Sequence, residues 1–249
     1  MISSFFNTIF YIPLYNLFVF LVSVAPFNDI GVAIIALTLI VRVFLLPVTH
    51  KSVKTQAKMK VLEPEINAIK KETEKDKQAQ ARRVMELYQK HGINPFSGCL
   101  LFLIQTPFIF ALFWVFNQEL VGGLHQENLY SFISFPKDFS LLFLGIMDVT
   151  QKNLVIALLA GASQYFQIRL AIPSPPKGQE GVLAGPPSFK DEFAKSFQLQ
   201  MKYIFPVMVF FLSYSVFSSG VALYWTTSNL VSIIHELLVR RKARELVKP

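Results

Sequence analysis

Residues 30–48 form an apolar run in which Arg42 is the only charged residue. A helix needs about 20 predominantly apolar residues to cross the hydrocarbon core of a bilayer, so this run predicts a membrane-spanning helix. An arginine near the middle of such a helix costs about 2.5 to 3.5 kcal/mol on insertion scales, and it therefore usually faces a protein interior or a hydrated cavity. The alternative is that Arg42 snorkels towards the polar stretch that begins at Thr49.

The composition of the chain also indicates a membrane protein. Of its 249 residues 53% are hydrophobic and 16% are charged, which is typical of a polytopic membrane protein rather than of a soluble domain. Four further apolar stretches, at residues 95–116, 154–168, 203–217 and 221–239, bring the predicted spans to five. The single cysteine, Cys99, excludes an internal disulfide framework and a multi-cysteine metal site. We expect Cys99 to pack as a small hydrophobic residue.

Residues 3–25 are also long and apolar, but they are interrupted by polar residues. The interrupting and aromatic residues are Asn7, Tyr11, Pro13, Tyr15 and Asn16. A helix that lies in the membrane interface has a polar edge and aromatic anchors. We therefore favour an interfacial amphipathic helix over a sixth span for this segment.

The charges of the connecting segments alternate in sign along the chain. The net charge is +5 for residues 50–92, −2 for residues 117–140, +2 for residues 169–202 and +3 for the tail from Glu236. Because lysine and arginine in short loops mark the cytoplasmic side, the first loop, the third loop and the C-terminus are predicted to be cytoplasmic. With five spans, the N-terminus is then outside. This topology accounts for the basic surplus without a nucleic-acid-binding role.

Residues 50–92 are longer and more charged than a connecting loop requires. Apolar residues recur at three- and four-residue spacing within residues 53–69 and 81–88, which predicts two helical arms. Pro64 should bend the first arm, and Gly92 should end the second. We expect a helical hairpin that projects into the cytoplasm. The alternative is a solvated spacer, because alternating charges often mark only an exposed helix face.

These patterns predict the boundaries of every segment. Residues 171–188 are rich in proline and glycine, so the third loop should be flexible. The predicted segments are an N-terminal outer-surface helix (1–28), five spans (29–49, 93–117, 153–171, 200–217 and 220–239), the hairpin (50–92), an outer loop (118–152), a flexible cytoplasmic loop (172–199) and a basic cytoplasmic tail (240–249).

Polar residues occur in every span, and no acidic residue within the spans is placed to neutralise Arg42. The polar residues are Gln105 and Thr106 in the second span, Ser163, Gln164 and Gln167 in the third, Ser213 and Ser215 in the fourth, and residues 224–229 in the fifth. Around one arginine they suggest a hydrated concavity. The alternative for any single glutamine is a hydrogen bond that holds two helices together. Just before the third span, Asp148 is expected to pair with Lys152.

Several motifs fall into one family pattern. Residues 94–107 read Asn-Pro-Phe-Ser-Gly-Cys-Leu-Leu-Phe-Leu-Ile-Gln-Thr-Pro and directly follow Glu-Leu-Tyr-Gln-Lys-His-Gly. Further motifs are Leu-Leu-Pro at 45–47, Leu-Glu-Pro-Glu at 62–65, Leu-Ala-Gly at 159–161 with Gln164, and Gly-Val-Ala-Leu-Tyr-Trp-Thr-Thr-Ser-Asn at 220–229. With these motifs the chain resembles the YidC family of membrane protein insertases, which includes the organellar oxidase-assembly and Albino proteins.

The resemblance implies an all-α polytopic fold of five spans, with a groove that is open to cytoplasm and lipid but closed outside. Arg42 matches the groove arginine, Gln164 and Trp225 match other groove-lining positions, and Gln105 and Tyr224 are further candidates. The implied function is insertion of short hydrophilic tails across the bacterial inner membrane, without catalysis and without a cofactor or metal.

The implied partners are nascent membrane proteins and the lipid bilayer. The ribosome, bound through the hairpin and the tail, and the Sec translocon are further expected partners, and a monomer is expected to suffice. No direct nucleic-acid specificity is expected.

Two other classes of function remain as alternatives. A secondary transporter could bind an anionic solute at Arg42, but many such folds carry inverted repeats, and the sequence has no convincing repeat. An intramembrane enzyme is disfavoured because His-Glu-x-x-His, Gly-x-Ser-x-Gly and a phosphate-binding glycine loop are missing from the sequence. The four histidines fall at loop edges or span ends, where an interfacial position is expected.

Overall fold

A computed structural model of the chain describes residues 2–73, 76–94, 97–116, 126–134, 136–171 and 199–245. This part of the chain is mainly helical, which confirms the predicted fold class in its coarse form. Its α-helices are α1 (Ile2–Phe6), α2 (Ile12–Val24), α3 (Ile30–Val61), α4 (Glu63–Glu72), α5 (Lys77–Lys90), α6 (Ser97–Trp114), α7 (Leu154–Ala171), α8 (Phe205–Ser215) and α9 (Ser219–Glu245). Two short strands, β1 (Leu142–Phe143) and β2 (Met147–Asp148), form an antiparallel hairpin.

Three helical stretches are long and apolar enough to cross a membrane. They are Ser4–Val24, Ile30–Val61 and Leu154–Ala171, and the last two contain the predicted first and third spans. Helices α6, α8 and α9 lie where the second, fourth and fifth spans are predicted, and a π-helical turn, Gln200–Ile204, leads directly into α8. Within the described residues they do not combine the length and hydropathy of the other three. The count of five spans stays a prediction.

The N-terminal helix α2 packs into the core against α3 and α6. Its fully buried side chains are Tyr15, Phe18, Val19 and Val22. Asn16 is also buried, with 1% exposure. Its Nδ2 donates to the carbonyls of Ile12 at 2.8 Å and Asn128 at 2.9 Å, and its Oδ1 accepts from the Tyr130 amide at 2.7 Å. Backbone groups therefore take the place of water around this buried amide. The interfacial position of residues 3–25 stays a prediction.

Helix α3 carries the apolar run and extends well beyond it. It begins after Asp29, whose carboxylate accepts a hydrogen bond from the Val32 amide at 3.1 Å and so satisfies a free N–H of the first turn. The helix ends at Val61, so the first predicted arm continues directly from the first span. Helix α4 then starts with Pro64 in its first turn, as the predicted bend requires.

Helices α4 and α5 lie against each other. The first predicted arm is divided between the end of α3 and α4, and the second lies within α5. Arg83 Nη1 of α5 lies 3.0 Å from Glu72 Oε2 of α4. The side chain of Asp76 caps α5 by accepting from the Gln78 amide at 3.0 Å. Gly92, with φ of 61°, follows the end of α5, where this left-handed conformation favours glycine. That the pair forms a hairpin on the cytoplasmic side stays a prediction.

The remaining helices build a bundle around α9. Helix α9 packs against α3 on one side and against α7 on another, while α8 packs mainly on α7. Helices α7 and α8 approach closely at Gly161, where an added Cβ would lie 2.9 Å from Phe210 Cβ. Gly220, at the start of α9, lies against Ile34 near the start of α3. We call this end of the bundle the Gly220 end and the opposite end, where His50 contacts His235, the His235 end.

The segment before α7 differs from the expected charge pairing. Asp148 Oδ1 accepts hydrogen bonds from the amide of Thr150 at 2.8 Å and from its hydroxyl at 2.7 Å. Lys152 Nζ instead donates to the carbonyl of Ser215, at the end of α8. The expected pairing of Asp148 with Lys152 is therefore wrong, because each group has a nearer partner of its own.

Some predictions lie outside the described residues. The flexible loop at 172–199 is described only at residue 199, and the outer loop at 118–152 is described from residue 126 onwards, without residue 135. The basic tail is described as far as Glu245. The packing predicted for the Cys99 side chain also lies outside the described part.

Candidate functional site

Helices α3 and α9 run parallel, which places their polar side chains at matched depths. Three contacting pairs mark this register: Ile34 with Gly220, Arg42 with Ser228, and His50 with His235. At a rise of 1.5 Å per residue, the level of Arg42 lies about 12 Å from the levels of the other two pairs. From the start of α3 to His50 the helix covers about 30 Å, which is the thickness of a hydrocarbon core.

Arg42 makes its polar contacts with α9. Its Nε donates to the hydroxyl of Ser228 at 2.9 Å, and its Nη2 donates to the same oxygen. Ser228 is buried, and the buried phenol of Tyr224 lies one turn earlier beside the guanidinium. Among the residues that the structure describes, Arg42 forms no ion pair with a carboxylate. The site therefore holds a half-buried positive charge that no described acid compensates.

This geometry differs from snorkelling. Ser228 lies at the depth of Arg42 itself, so the arginine side chain reaches across to α9 instead of along α3 towards Thr49. Thr49 is nearly buried, and its hydroxyl donates to the Leu46 carbonyl in its own helix at 3.0 Å. A protein contact, and not the membrane surface, holds the guanidinium.

A second polar cluster joins α7 to α9. Trp225 Nε1 donates to Gln164 Oε1 at 2.6 Å, and Asn229 Nδ2 donates to the same oxygen at 3.2 Å. Asn229 Nδ2 also lies 3.1 Å from Ser163 Oγ, and Gln164 Nε2 donates to Gln167 Oε1 at 3.2 Å. The bonds made by Trp225 and Asn229 are the interhelical hydrogen bonds that the alternative for a single glutamine describes, whereas the bond between Gln164 and Gln167 lies within α7. They fix the Gln164 amide and the Trp225 indole in one orientation.

The structure thus divides the five predicted site residues. Arg42 and Tyr224 share the cluster between α3 and α9, whereas Gln164 and Trp225 share the cluster between α7 and α9. Gln105 lies on α6, partly exposed, and within the described part of the chain it makes no hydrogen bond to the other four. Their role as the lining of a groove stays a prediction.

Two residues that tie these clusters together were not singled out from the sequence. Ser228 is the acceptor for Arg42, and Asn229 bridges Gln164 and Ser163. Both lie in the polar run 224–229, so the sequence indicates the run as a whole as a candidate site and does not single out these two residues. Because neighbouring residues of a helix point to different sides, Ser228 faces α3 and Asn229 faces α7.

Hydrogen bonds tie several elements together at the Gly220 end of the bundle. The turn before α9 contains Ser218 and Ser219, which are 4% and 1% exposed. The Ser218 hydroxyl donates to the Phe116 carbonyl at 3.3 Å, and the Ser219 hydroxyl donates to the Gln151 carbonyl at 2.5 Å. These bonds join the end of the α6 region and the segment before α7 to the start of α9.

At the His235 end, α9 is linked to both of its neighbours. His50 Nδ1 of α3 and His235 Nε2 of α9 are 3.2 Å apart. On the other side, Arg240 Nη2 lies 2.6 Å from Glu236 Oε1 and also donates to the carbonyl of Leu170, near the end of α7. The two polar clusters therefore lie between two levels at which hydrogen bonds tie α9 or the turn before it to neighbouring elements.

The described residues offer no evident metal site. Within this part of the chain, no three histidine, cysteine, aspartate or glutamate side chains come together as ligands would. Two shallow depressions lie at the Gly220 end, beside Phe27 and Asp138 and beside Asn16 and Phe132, and Arg42 lines neither of them. The chemistry available at the site is hydrogen bonding and charge attraction.

Comparison with known proteins gives the same family that the motifs indicated. A family model described as the 60Kd inner membrane protein matches residues 21–245. The membrane protein insertase YidC of Fusobacterium nucleatum is 32% identical over 218 residues, which is 86% of this chain and 88% of the relative. The corresponding insertase of Clostridium tetani is 31% identical over 216 residues, which is 87% of this chain and 84% of the relative.

A third relative is a much longer protein. The membrane protein insertase YidC of Francisella tularensis subsp. novicida is 31% identical over 213 residues, which is 85% of this chain but 32% of the relative. The shared part is thus the region of the helices described above. On the family match and these identities, the chain belongs to the 60Kd inner membrane protein family, the family of the YidC membrane protein insertases.

Proposed function

We propose that this chain is a membrane protein insertase that draws short hydrophilic tails of nascent membrane proteins into a hydrated groove at Arg42. The observation that carries the proposal is the half-buried Arg42, held by Ser228 and without an ion-pair partner among the described residues. A membrane helix tolerates such a charge where it meets water or a polar partner. A transient substrate with an acidic tail fits this uncompensated charge.

The electrostatics of the site favour an acidic tail. At 4 Å, two opposite unit charges attract by about 4 kcal/mol at an effective dielectric constant of 20, against about 1 kcal/mol in bulk water. Salt screens partly buried charges less than exposed ones. The hydrogen bonds between elements at the Gly220 end support a groove that admits the tail from the His235 end, which we place on the cytoplasmic side.

The apolar part of the substrate then leaves sideways into lipid. Helix α7, which lies beside α9, exposes an apolar face along which a spanning segment can slide. Its most exposed apolar side chains are Leu154, Val155, Leu158, Leu159 and Phe166, each between 49% and 66% exposed. The hydrophobic partitioning of the substrate drives this step. A membrane potential adds about 2.3 kcal/mol per charge per 100 mV for a tail that crosses.

The short helix α8 further lowers the free-energy barrier to moving a polar tail across the membrane. It comprises Phe205–Ser215 and continues directly from the π-helical turn Gln200–Ile204, which gives sixteen described residues, fewer than the 20 or so that a full span needs. A short span is accommodated by thinning the local bilayer. A thinner bilayer shortens the path of a polar tail, so no fuel-consuming step is required.

The partners follow from this function and from the charges of the chain. Nascent membrane proteins are the substrates, and the lipid bilayer receives their spanning segments. The basic segment 50–92 and the basic tail support contact with the ribosome, and the Sec translocon is a further partner. An N-terminus outside and a C-terminus in the cytoplasm complete the proposed topology. The transporter alternative is not favoured, because the relatives carry the name of insertases.

Reconstitution tests the proposal directly. Purified protein in liposomes is given a single-span substrate with an acidic tail, and protection of the tail from external protease is measured. Wild type and Arg42→Lys should protect the tail, whereas Arg42→Ala should lose at least about tenfold, because the loss of even 1.4 kcal/mol of attraction gives that factor. Arg169→Ala is the matched control, since Arg169 lies exposed at the end of α7.

The outcomes separate the function from the role of Arg42. Equal protection by all variants would leave the insertase function standing and remove Arg42 from it. A folded wild type that protects no tail would contradict autonomous insertion. A substrate with a neutral tail should be inserted equally by wild type and Arg42→Ala, which tests whether charge is what matters.

A further inference from the structure

The hairpin formed by β1 and β2 has an unusual turn for a surface loop. Residues 142–147 read Leu-Phe-Leu-Gly-Ile-Met and carry no polar side chain. The two central turn residues, Leu144 and Gly145, have φ of 51° and 72°. Turns with positive φ at both central positions strongly prefer Asn-Gly, Asp-Gly or Gly-Gly. Leucine in this conformation is strained, and here it is also 63% exposed, with its neighbour Ile146 at 85%.

A second bulky apolar residue shares both properties. Phe27, in the turn that leads into α3, has φ of 58° and is 95% exposed. Asn28 follows with φ of 49°, and its Nδ2 donates to the Asp138 carbonyl at 2.8 Å. In water, nothing evident would stabilise two large apolar side chains that are exposed and whose backbone is in the left-handed region. Such outliers persist when the surroundings determine them, and they point to a function.

The hairpin is fixed beside the first turn of α3. Asp29 Oδ2 accepts from the Leu144 amide at 2.7 Å, and the Ile30 amide donates to the Ser140 carbonyl at 3.1 Å. Phe143 packs so closely on Gly31 that an added Cβ would lie 2.6 Å from its Cβ. The hairpin therefore lies alongside the start of the spanning helix and does not stand off from it.

This position sets the depth of the exposed residues. The polar layer on each side of the hydrocarbon core is about 5 to 7 Å thick, which is close to one turn of helix. A group beside the first turn of α3 lies within that layer. We define the apolar rim as Phe27, Leu142, Leu144 and Ile146, which are 47% to 95% exposed.

We propose that the apolar rim inserts into the boundary between lipid headgroups and acyl chains at the Gly220 end, so that the bilayer surface is its partner. Burial of these side chains in lipid offsets both their exposure and the strain at Phe27 and Leu144. A further consequence concerns the site. Arg42 lies twelve residues after Ile30, or about 18 Å along the helix axis, so an anchored rim fixes the depth of Arg42 in the membrane.

Fluorescent labelling of the full chain in liposomes tests the rim. A polarity-sensitive dye is attached to Ile146→Cys in a Cys99→Ser background, and the matched control is Glu127→Cys. Glu127 is exposed in the outer-loop segment that Asn16 ties to α2, at the same end of the bundle. Quenching by nitroxide-labelled lipids is compared with quenching by aqueous iodide. The label at residue 146 should lose most of its emission to the lipid quencher and little to iodide, with the reverse at residue 127.

The other results overturn the proposal. Iodide quenching at residue 146 as strong as at residue 127 would place the rim in water. Shielding from both quenchers would mean that protein, and not lipid, covers it. Lipid quenching that depends on the protein-to-lipid ratio would indicate a second copy of the chain.

A rim variant that favours the turn conformation separates a loss of lipid contact from a loss of folding. Leu144→Asn places a turn-favouring residue at the strained position, so thermal unfolding in detergent should begin no earlier than in wild type. The label at residue 146 should nevertheless become less accessible to the lipid quencher and more accessible to iodide. Unchanged lipid quenching in this variant would remove Leu144 from the rim.

Discussion

The guanidinium of Arg42 in α3 and the hydroxyl of Ser228 in α9 are joined by two hydrogen bonds across 186 positions of sequence, one of them 2.9 Å long. Both residues lie about 12 Å from the Gly220 contact with Ile34, because the two helices run parallel. The bond therefore holds the charge at one depth of the bundle. It leaves part of the guanidinium available, since Ser228 supplies a single acceptor oxygen.

Replacing Ser228 by alanine should destabilise the protein by about 1.5 to 3 kcal/mol, the usual range for hydrogen bonds to charged groups. Arg42 would lose the oxygen that accepts both of its hydrogen bonds. Unfolding in mixed micelles, followed by tryptophan fluorescence, measures the change. Ser232→Ala is the control, because the Ser232 hydroxyl only donates to the Ser228 carbonyl in its own helix at 2.9 Å. Equal losses in both variants would contradict a specific role for the Ser228 side chain.

Replacing Asp29 by alanine should loosen the β1–β2 hairpin and cost about 1 to 3 kcal/mol. One carboxylate oxygen caps α3 through Val32, and the other accepts from the Leu144 amide at 2.7 Å. Asp29→Asn keeps one acceptor oxygen and should lose less stability than Asp29→Ala. Hydrogen exchange of the amides in residues 142–148 measures the loosening. Exchange as slow as in wild type would show that the Ile30 bond to Ser140 suffices to hold the hairpin.

Features that depend on nearby residues could be predicted from the sequence. The apolar length of residues 30–48 and 154–168 predicted two helices that are long enough to span. The helical spacing of residues 53–69 and 81–88 predicted the two arms. Pro64 predicted the bend because its ring restricts φ, and Gly92 predicted a helix end because glycine adopts a positive φ at little cost.

Features that depend on distant partners could not be predicted. Asn16 is buried because Asn128, 112 positions away, accepts its hydrogen bond, and Asp29 binds the Leu144 amide 115 positions away. Asp148 was expected to bind a lysine, but Thr150 lies closer. A polar side chain at the end of a span gives the same sequence pattern whether it faces water or binds a carbonyl group that is distant in sequence. The pattern around Arg42 likewise marked a polar run without selecting Ser228.

The pair formed by Glu236 and Arg240 at the His235 end allows a direct comparison of buried and exposed ion pairs. Their side chains are 4% and 17% exposed, with 2.6 Å between Oε1 and Nη2. Arg240→Ala should destabilise the protein by about 3 to 5 kcal/mol, because it leaves a buried carboxylate without its cation. The double variant Glu236→Leu with Arg240→Met should lose much less, since it buries no charge.

Another pair with the same four-residue spacing provides the control. Arg82 and Glu86 in α5 lie 3.0 Å apart, but their side chains are 83% and 58% exposed. Arg82→Ala should cost at most about 0.5 kcal/mol, the value typical of exposed helix pairs. Similar losses for Arg82→Ala and Arg240→Ala in the same unfolding assay would show that the Glu236 site is hydrated and not buried.

Two glycines at helix contacts should respond differently to alanine. At Gly220 an added Cβ would lie 3.1 Å from Ile34 Cδ1, the end of a flexible side chain, and 3.3 Å from the Val149 carbonyl oxygen. At Gly161 it would lie 2.9 Å from Phe210 Cβ and 3.2 Å from the Pro206 carbonyl oxygen, which cannot move without the backbone of α8. Overpacking of this kind costs about 1 to 3 kcal/mol, and we expect Gly161→Ala to lie at the upper end.

A second substitution should rescue one glycine variant and not the other. Ile34→Val removes the Cδ1 atom that an alanine at residue 220 would meet, so the Gly220→Ala, Ile34→Val pair should cost less than the sum of its members. The effects of Ile34→Val and Gly161→Ala on the free energy of unfolding should be additive, because Ile34 is not among the close neighbours of Gly161. Unfolding midpoints of the two double-variant cycles measure the difference. Additivity in both cycles would mean that α3 and α9 do not meet at Gly220 as closely as the structure indicates.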